Sequence, residues 1–397
     1  MRKYKFPVQI KFIIASMILG SLQFESSILM IYYQEQSLSN TQVGTMMAAY
    51  SIAVIIFEYI TGIWADQYGP KKIYTSSILI LILGESLLII GKSYIIIFSA
   101  IIFIALSVAA KSGADIALLY NKLEEQNKKE MFNYLIGTIK SISLILGSLV
   151  VMIGSILGNV NIKIPFIATV ICNIIAFLLM LNVHDEKKVM LKKHTSKLVL
   201  DGFNVLKENK LFLWVTCSTI LIFPLNHILS IYLQVYMEDI SIPTMFFGTF
   251  YAVSALSEAL GSKLSNFVIG KLGCEKAHFL SGVLIIIAFG MLYIKNIIVF
   301  AVIFMIISFL FGIYYISNTI IINSVATSEN RATLMSEQHA LTKISTALFM
   351  YLVGFGTDRI EINILFLCIS LLILVPDLLL TSIYFIKYKK EKDVIER

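Results

Sequence analysis

The chain has 397 residues, of which 58% are hydrophobic and 14% charged, whereas soluble domains carry about 45–50% apolar and about 25% charged residues. With a mean hydropathy of +0.84, no water-soluble fold of this length hides its apolar surface, which excludes a soluble enzyme or binding module. The net charge of +7 therefore needs a membrane explanation before a nucleic-acid one.

A helix crosses the hydrocarbon core with about 20 mostly apolar residues. Runs of that kind fall near 9–33, 42–64, 73–91, 94–119, 132–157, 164–183, 211–236, 244–265, 277–294, 297–322, 333–356 and 363–386. They are continuous rather than alternating, so they predict an all-α polytopic membrane protein of twelve spans and exclude a β-barrel. The basic start resembles a secretory leader, but the apolar stretch behind it runs on to Tyr33 with no small-residue cleavage site, and it reads as the first span.

Lys and Arg set the orientation. With the N-terminus inside, Lys71, Lys72, Lys122, Lys128, Lys129, Lys263, Lys271, Lys276 and Arg331 fall inside, together with the lysine-rich segment 187–210 and the basic C-terminus. Lys92, Lys163, Lys295 and Arg359 remain outside. Both termini are thus expected in the cytoplasm and the protein in the plasma membrane, and this bias accounts for the net charge without nucleic acid. The longest polar stretch, 184–210, divides an N-terminal bundle (1–183) from a C-terminal bundle (211–397), and its part around Leu198–Leu206 has the apolar spacing of a helix lying on the inner surface. The halves echo each other: "GIWADQYGPKK" and "NFVIGKLGCEK" align when Gly69 is set on Gly273, and Lys140 then falls within one residue of Lys343. Cys172, Cys217, Cys274 and Cys368 show no disulfide or metal spacing and read as packing residues.

"GIWADQYGPKK", between the second and third spans, resembles the Gly-x-x-x-Asp-x-x-Gly-x-Lys/Arg signature of the major facilitator superfamily. "FEYITG" before it, "KSGADIALLYNKLEE" ending the fourth span and "SENRATLMS" entering the eleventh resemble motifs of a twelve-span bacterial branch rich in drug and macrolide efflux carriers. Ile60 stands where that branch has Pro, Gln67 and Pro70 replace basic positions, and "LGSLVVMIGSILG" in the fifth span lacks the Gly-Pro of the antiporter signature. The resemblance implies the major facilitator fold, two six-helix bundles around a cavity. It assigns Gly62, Asp66, Gly69, Lys71 and Lys72 to a conformational latch: Gly62 for close helix approach, Gly69 for the tight turn, Asp66 as the partner of a helix N-terminus.

Ionisable residues inside spans are functional candidates because burying them is costly. The first half offers Glu25, Glu58, Glu85, Lys111, Asp115 and Lys140; the second offers His227, Glu258, His339, Lys343 and Asp377, with Glu337 nearer the inner surface. Lys111 and Asp115 are spaced to share a helix face, and Glu58, at a depth of roughly 12 Å, joins them and Lys140 in an expected inner cluster. Such a cluster is equally a structural network. Glu25 and Glu85 have no cation at their depth. Glu25 is preferred as the proton carrier because the first span lines the pathway in the resembling family, whereas the third lies peripherally. His227, behind Pro224 in an expected kink of the seventh span, is a proton or substrate contact or else a packing histidine. From this shortlist Glu25, Glu58, Glu85, Lys111, Asp115, Lys140, His227, Glu258 and Lys343 are carried forward.

No phosphate-gripping loop and no metal-ligand set appears, so neither ATP, a metal nor another cofactor is expected. The expectation is a non-enzymatic secondary transporter acting as a monomer, with protons and a small amphipathic compound as partners and export by antiport as the direction. Proton-coupled uptake of a metabolite, or a non-transporting binding or immunity protein of the same fold, are the alternatives.

Overall fold

The computed structural model describes residues 7–184, 209–327 and 330–389; the linker and its expected surface helix lie outside them. The described chain is all-α. Its helices are α1 (Val8–Leu19), α2 (Leu29–Glu35), α3 (Asn40–Tyr68), α4 (Pro70–Ile90), α5 (Tyr94–Lys111), α6 (Ala114–Glu125), α7 (Phe132–Val160) and α8 (Ile164–Leu181) before the linker. After it come α9 (Lys210–Ile231), α10 (Leu233–Asp239), α11 (Phe247–Leu272), α12 (Cys274–Met291), α13 (Ile297–Val325), α14 (Arg331–Thr357) and α15 (Ile362–Ile383). Among the described residues, ten helical segments are long and apolar enough to cross a membrane. Of the twelve expected spans, the first is divided between α1 and α2, and the eighth, α11, keeps Glu258 and Lys263 within it.

Contacts divide the chain into two units. Of the described residues, one holds 7–38, 49–184 and 243–251; the other holds 39–48, 209–242, 252–327 and 330–389. In the first unit α4 packs on α5 and α8, and α1 packs on α8, around a core that includes Ile10, Ile13, Tyr74, Leu119 and Met180. The segment 243–251 is tied into this unit by Ser155 Oγ, which donates to the Met245 carbonyl at 2.9 Å. In the second unit α12 packs on α13 and α15, and α9 packs on α14. Its core includes Phe212, Trp214, Ile321, Leu334 and Tyr384. There Trp214 stacks on Tyr384 with ring centroids 4.7 Å apart and donates its indole N–H to Thr381 at 3.0 Å, so a buried ring keeps its polar handle satisfied. The segment 39–48 is fixed by Asp358, whose carboxylate accepts from the Asn40 and Thr41 backbone N–H groups at 3.0 and 2.8 Å and from the Thr41 hydroxyl at 2.6 Å. An acid at a helix N-terminus satisfies free donors and faces the positive end of the helix dipole.

The two halves repeat each other in backbone detail. Gly69 and Gly273, both at positive φ (87° and 81°), separate α3 from α4 and α11 from α12. Ser37 and Ser241 are also at positive φ (59° and 62°), directly behind the seven-residue helices α2 and α10. Each pair is offset by 204 in residue number. Turns strained at the same offset are stronger support for an internal repeat than the sequence echo alone.

Candidate functional site

The sequence reading treats residues 9–33 as one span. The structure unwinds it from Gly20 to Ile28. The stretch "GSLQFESSI" explains this locally: glycine has a high entropy cost in a helix, and serine hydroxyls compete for backbone groups. Ser21 donates to the Ile18 carbonyl at 2.7 Å and Ser26 to the Gln23 carbonyl at 3.0 Å.

The unwound segment needs other partners for its backbone, because lipid supplies none. Thr169 of α8 is the main one. Its hydroxyl accepts from the Phe24 N–H at 3.0 Å and donates to the Glu25 carboxylate, which uses both capacities of one side chain. Ser27 donates to the Val151 carbonyl of α7 at 3.1 Å. Helix α7 comes close enough because Gly154 faces the segment: a Cβ there would sit 1.8 Å from the Phe24 carbonyl oxygen. Four residues on, a Cβ at Gly158 would meet Ile28 at 2.5 Å. The glycines of "GSILG" thus form the floor on which the break rests.

Glu25 is 5% exposed, Glu85 of α4 is 2% exposed and Tyr33 is fully buried. Glu25 and Glu85 lie within electrostatic range of each other and of Tyr33. Among the described residues, one Glu85 oxygen and the Tyr33 hydroxyl have no hydrogen-bond partner, while the Tyr32 hydroxyl donates to the Leu88 carbonyl. One correction follows: Glu85 is not peripheral, since α4 brings it within electrostatic range of Glu25, which Thr169, a partner without charge, holds. Two buried carboxyls in electrostatic range of each other oppose each other's charge.

The expected Lys111–Asp115 face also needs correcting. Ser112 and Gly113, with φ 79° at Gly113, end α5 and restart the chain as α6, so the four-residue helical spacing does not apply. Lys111 instead donates to the Gly20 carbonyl at 2.8 Å, placing a cation at the C-terminal end of α1. Asp115, in the first turn of α6, accepts from the Ile116 N–H at 2.7 Å. It feels both Lys111 and Lys140 electrostatically, but Glu58 does not join them; its interaction is with Tyr50. Lys140 is exposed.

In the latch segment, Gly69 makes the turn with Pro70 at the first position of α4. Asp66 and Lys72 are exposed and Lys71 is half-buried. Gly62 does not serve close approach here, because a Cβ on it would meet nothing within 4 Å. In the second half α9 runs helically through Pro224, and the interruption lies at Tyr232 instead. His227 packs against Phe223 with centroids 5.7 Å apart and sits within electrostatic range of Lys343 and His339. Glu258 is exposed. Thr169 carries no charge to mark it in the sequence, and Tyr33 stands out there only as one of several aromatics that line the route or form interfacial belts.

Comparison with known proteins agrees with this architecture. The profile of the Major Facilitator Superfamily matches residues 12–348. Among curated relatives, the minor myo-inositol transporter IolF of Bacillus subtilis (strain 168) is 26% identical over 199 residues, 49% of this chain and 44% of that protein. The class H tetracycline resistance protein of Pasteurella multocida is 29% identical over 154 residues, 38% of this chain and 36% of that one. The matched region thus spans less than half the length of either relative. Among solved structures, the nucleoside transporter NupG superposes with a TM-score of 0.79 at 14% identity, covering 96% of this chain and all of that one. A POT family transporter, PepTSo, superposes with a TM-score of 0.74 at 12% identity, covering 98% and 99%. At these identities the superpositions speak to the fold.

Proposed function

The chain belongs to the Major Facilitator Superfamily, and from that premise we propose that it is a proton-coupled secondary transporter working by alternating access. It sits in the plasma membrane with both termini inside, and moves a small amphipathic compound outward in exchange for protons. The observation that carries the reading is Glu25: a buried acid in the unwound middle of a span, bonded to Thr169 and next to a second buried acid. Unwound helices near the bilayer centre are where carriers of this kind bind ions and substrates. A carboxyl in such a place can take and release a proton as access changes sides. Antiport is favoured by the motif resemblance. Uptake is the second reading, favoured by the polar character of a pocket in the second unit described below.

The test uses the full chain in proteoliposomes with an imposed pH gradient, and radiolabelled tetracycline and myo-inositol as probes. Gradient-driven movement of either probe is expected from the wild type, and its sign relative to the proton flux distinguishes antiport from symport. Glu25→Gln should lose accumulation against a gradient while keeping downhill exchange. Accumulation by Glu25→Gln at the wild-type level would place the proton site elsewhere.

A further inference from the structure

The second unit holds a pocket of about 100 Å³ among α9, α13 and α14, walled by Thr219, Phe223, Tyr314, Asn318, Gln338 and Thr342 among others. Its wall includes His339, and its amides and hydroxyls are uncharged and tightly organised. Asn318 donates to the Gln338 side-chain oxygen at 3.0 Å, and Gln338 donates back to the Asn318 oxygen at 3.2 Å, a closed amide pair. Thr219 donates to the same Asn318 oxygen at 3.0 Å. Behind the wall, Tyr314 is steadied by Ser218 at 3.3 Å, and Ser218 donates to the Asp377 carboxylate at 2.8 Å. Asn318 is 8% and Gln338 5% exposed.

Three features decide what such a pocket takes. First, each amide has two N–H donors and an oxygen with two lone pairs, so the pair retains hydrogen-bonding capacity while its buried groups satisfy each other. A ligand hydroxyl, donor and acceptor at once, can exchange into the pair without leaving either amide unpaired. Second, the wall contains no acidic side chain among the described residues. A cation entering this weakly polar site would lose its hydration without a counter-charge, which is expensive. Third, the volume is about three times the roughly 30 Å³ share of one water molecule and well below the about 300 Å³ at which drug-sized pockets begin. It admits one hydroxylated edge of a molecule, while the rings of Phe223 and Tyr314 offer an apolar surface to the adjoining carbon framework.

We propose that this pocket receives the hydroxyl-bearing edge of an uncharged ring compound, a cyclic polyol or the ribose of a nucleoside, and that the Asn318–Gln338 pair reads its vicinal hydroxyls. The proposal rests on the transporter reading above and narrows its amphipathic solute to a neutral, hydroxylated one. Asp377 acts as a positioning residue here: through Ser218 it fixes the aromatic wall and does not touch the solute.

The test is equilibrium binding to the purified full chain in detergent, followed by thermal shift, with myo-inositol, uridine and the lipophilic cation tetraphenylphosphonium as probes. No gradient is present, so the outcome is independent of proton coupling. A response to myo-inositol or uridine is expected, weakened about tenfold or more in Asn318→Leu/Gln338→Leu, a loss of the order that one or two hydrogen bonds represent. When both amides are replaced, the Thr219 hydroxyl keeps the Val215 carbonyl as acceptor at 2.7 Å, so the double variant should fold; Thr219→Val serves as a milder second variant with a smaller loss. A response to tetraphenylphosphonium alone, no response to either hydroxylated probe, or unchanged affinity in both variants overturns the assignment.

Discussion

Gly154→Ala is the sharpest test of the broken first span. A methyl group on Gly154 would lie 1.8 Å from the Phe24 carbonyl oxygen and 2.7 Å from its carbon, against an ordinary contact of about 3.5 Å. The obstacle is backbone rather than the tip of a flexible side chain, so the unwound segment must withdraw by roughly 1.5 Å. That withdrawal stretches the Phe24–Thr169 bond, now 3.0 Å, beyond useful length, and draws Glu25 from Thr169 with it. Overpacking of this kind costs about 1–3 kcal/mol, and each buried group left unsatisfied adds about 1–3 kcal/mol. Against this stands the helix propensity gained by replacing glycine with alanine, about 1 kcal/mol. The clash wins, and with one group left unsatisfied a net loss of about 1–5 kcal/mol is expected.

The same helix supplies the control. A Cβ at Gly137 or Gly147 of α7 would meet nothing within 4 Å, so Gly137→Ala and Gly147→Ala should be neutral or stabilising by up to about 1 kcal/mol. Thermal unfolding of the purified variants in detergent measures all three. If Gly154→Ala unfolds at the same temperature as Gly147→Ala, the segment does not rest on α7 and the account of the break is wrong.

Four further outcomes follow from particular contacts. Thr169→Val keeps the shape but removes the donor to Glu25 and the acceptor for Phe24, so it should lose about 1–3 kcal/mol of stability and shift the pH dependence of transport; an unshifted pH–rate profile would detach Thr169 from the coupling site. Glu85→Gln should leave folding intact and change the number of protons moved per solute or its pH dependence, read from proton flux in proteoliposomes, whereas unchanged flux would make Glu85 a bystander. At Asp358, outside the spans, burial opposes ionisation, but hydrogen bonds from Thr41 and Asn40 outweigh it and hold the carboxyl below its usual range; its stabilisation is therefore present above the ordinary carboxylate range and fades as pH falls through it, so Asp358→Ala should lower the melting temperature more at about pH 7 than at about pH 3. Asp66→Asn, in the proposed latch, should slow transport while leaving solute affinity within a few-fold, because it shifts the balance of states rather than the site; a wild-type transport rate would remove it from the mechanism.

The apolar runs locate the helices well because lipid leaves few other ways to satisfy a backbone. They locate helix ends less well. The run ending near residue 64 stops where hydropathy drops, yet α3 continues to Tyr68 and ends only where Gly69 takes positive φ. Hydropathy reports the edge of the membrane, whereas turn chemistry ends the helix. The first span shows the same limit from the other side: its apolar content is continuous, and only the cluster of Gly20, Ser21, Ser26 and Ser27 around Glu25 signals that the helix comes apart. Gly113 between Lys111 and Asp115 was a similar signal, and the four-residue pairing rule passed over it. The meeting of Glu25 with Glu85 was illegible for a different reason. It depends on how α4 and α8 pack around the break, and no local pattern encodes that.

The internal repeat separates what the architecture imposes from what this site adds. Under the offset of 204, α2 falls on α10, Ser37 on Ser241 and Gly69 on Gly273, so the short helix, its strained end and the following turn belong to the repeat. The unwound stretch Gly20–Ile28 falls on Pro224–Tyr232, which is helical up to Ile231. Even a proline there does not open the second copy as Gly20 and the serines open the first. Glu25 falls on Leu229, which is buried, and Glu85 falls on Phe289, also buried. Both acids therefore replace apolar positions of the repeat, and they do so where one copy alone has lost its helix. A structural role in the fold would be expected in both halves. Two acids and an unwound backbone confined to one half point instead to a task that the fold itself does not require, and under the proton-coupled function proposed above moving a proton is the task those groups suit.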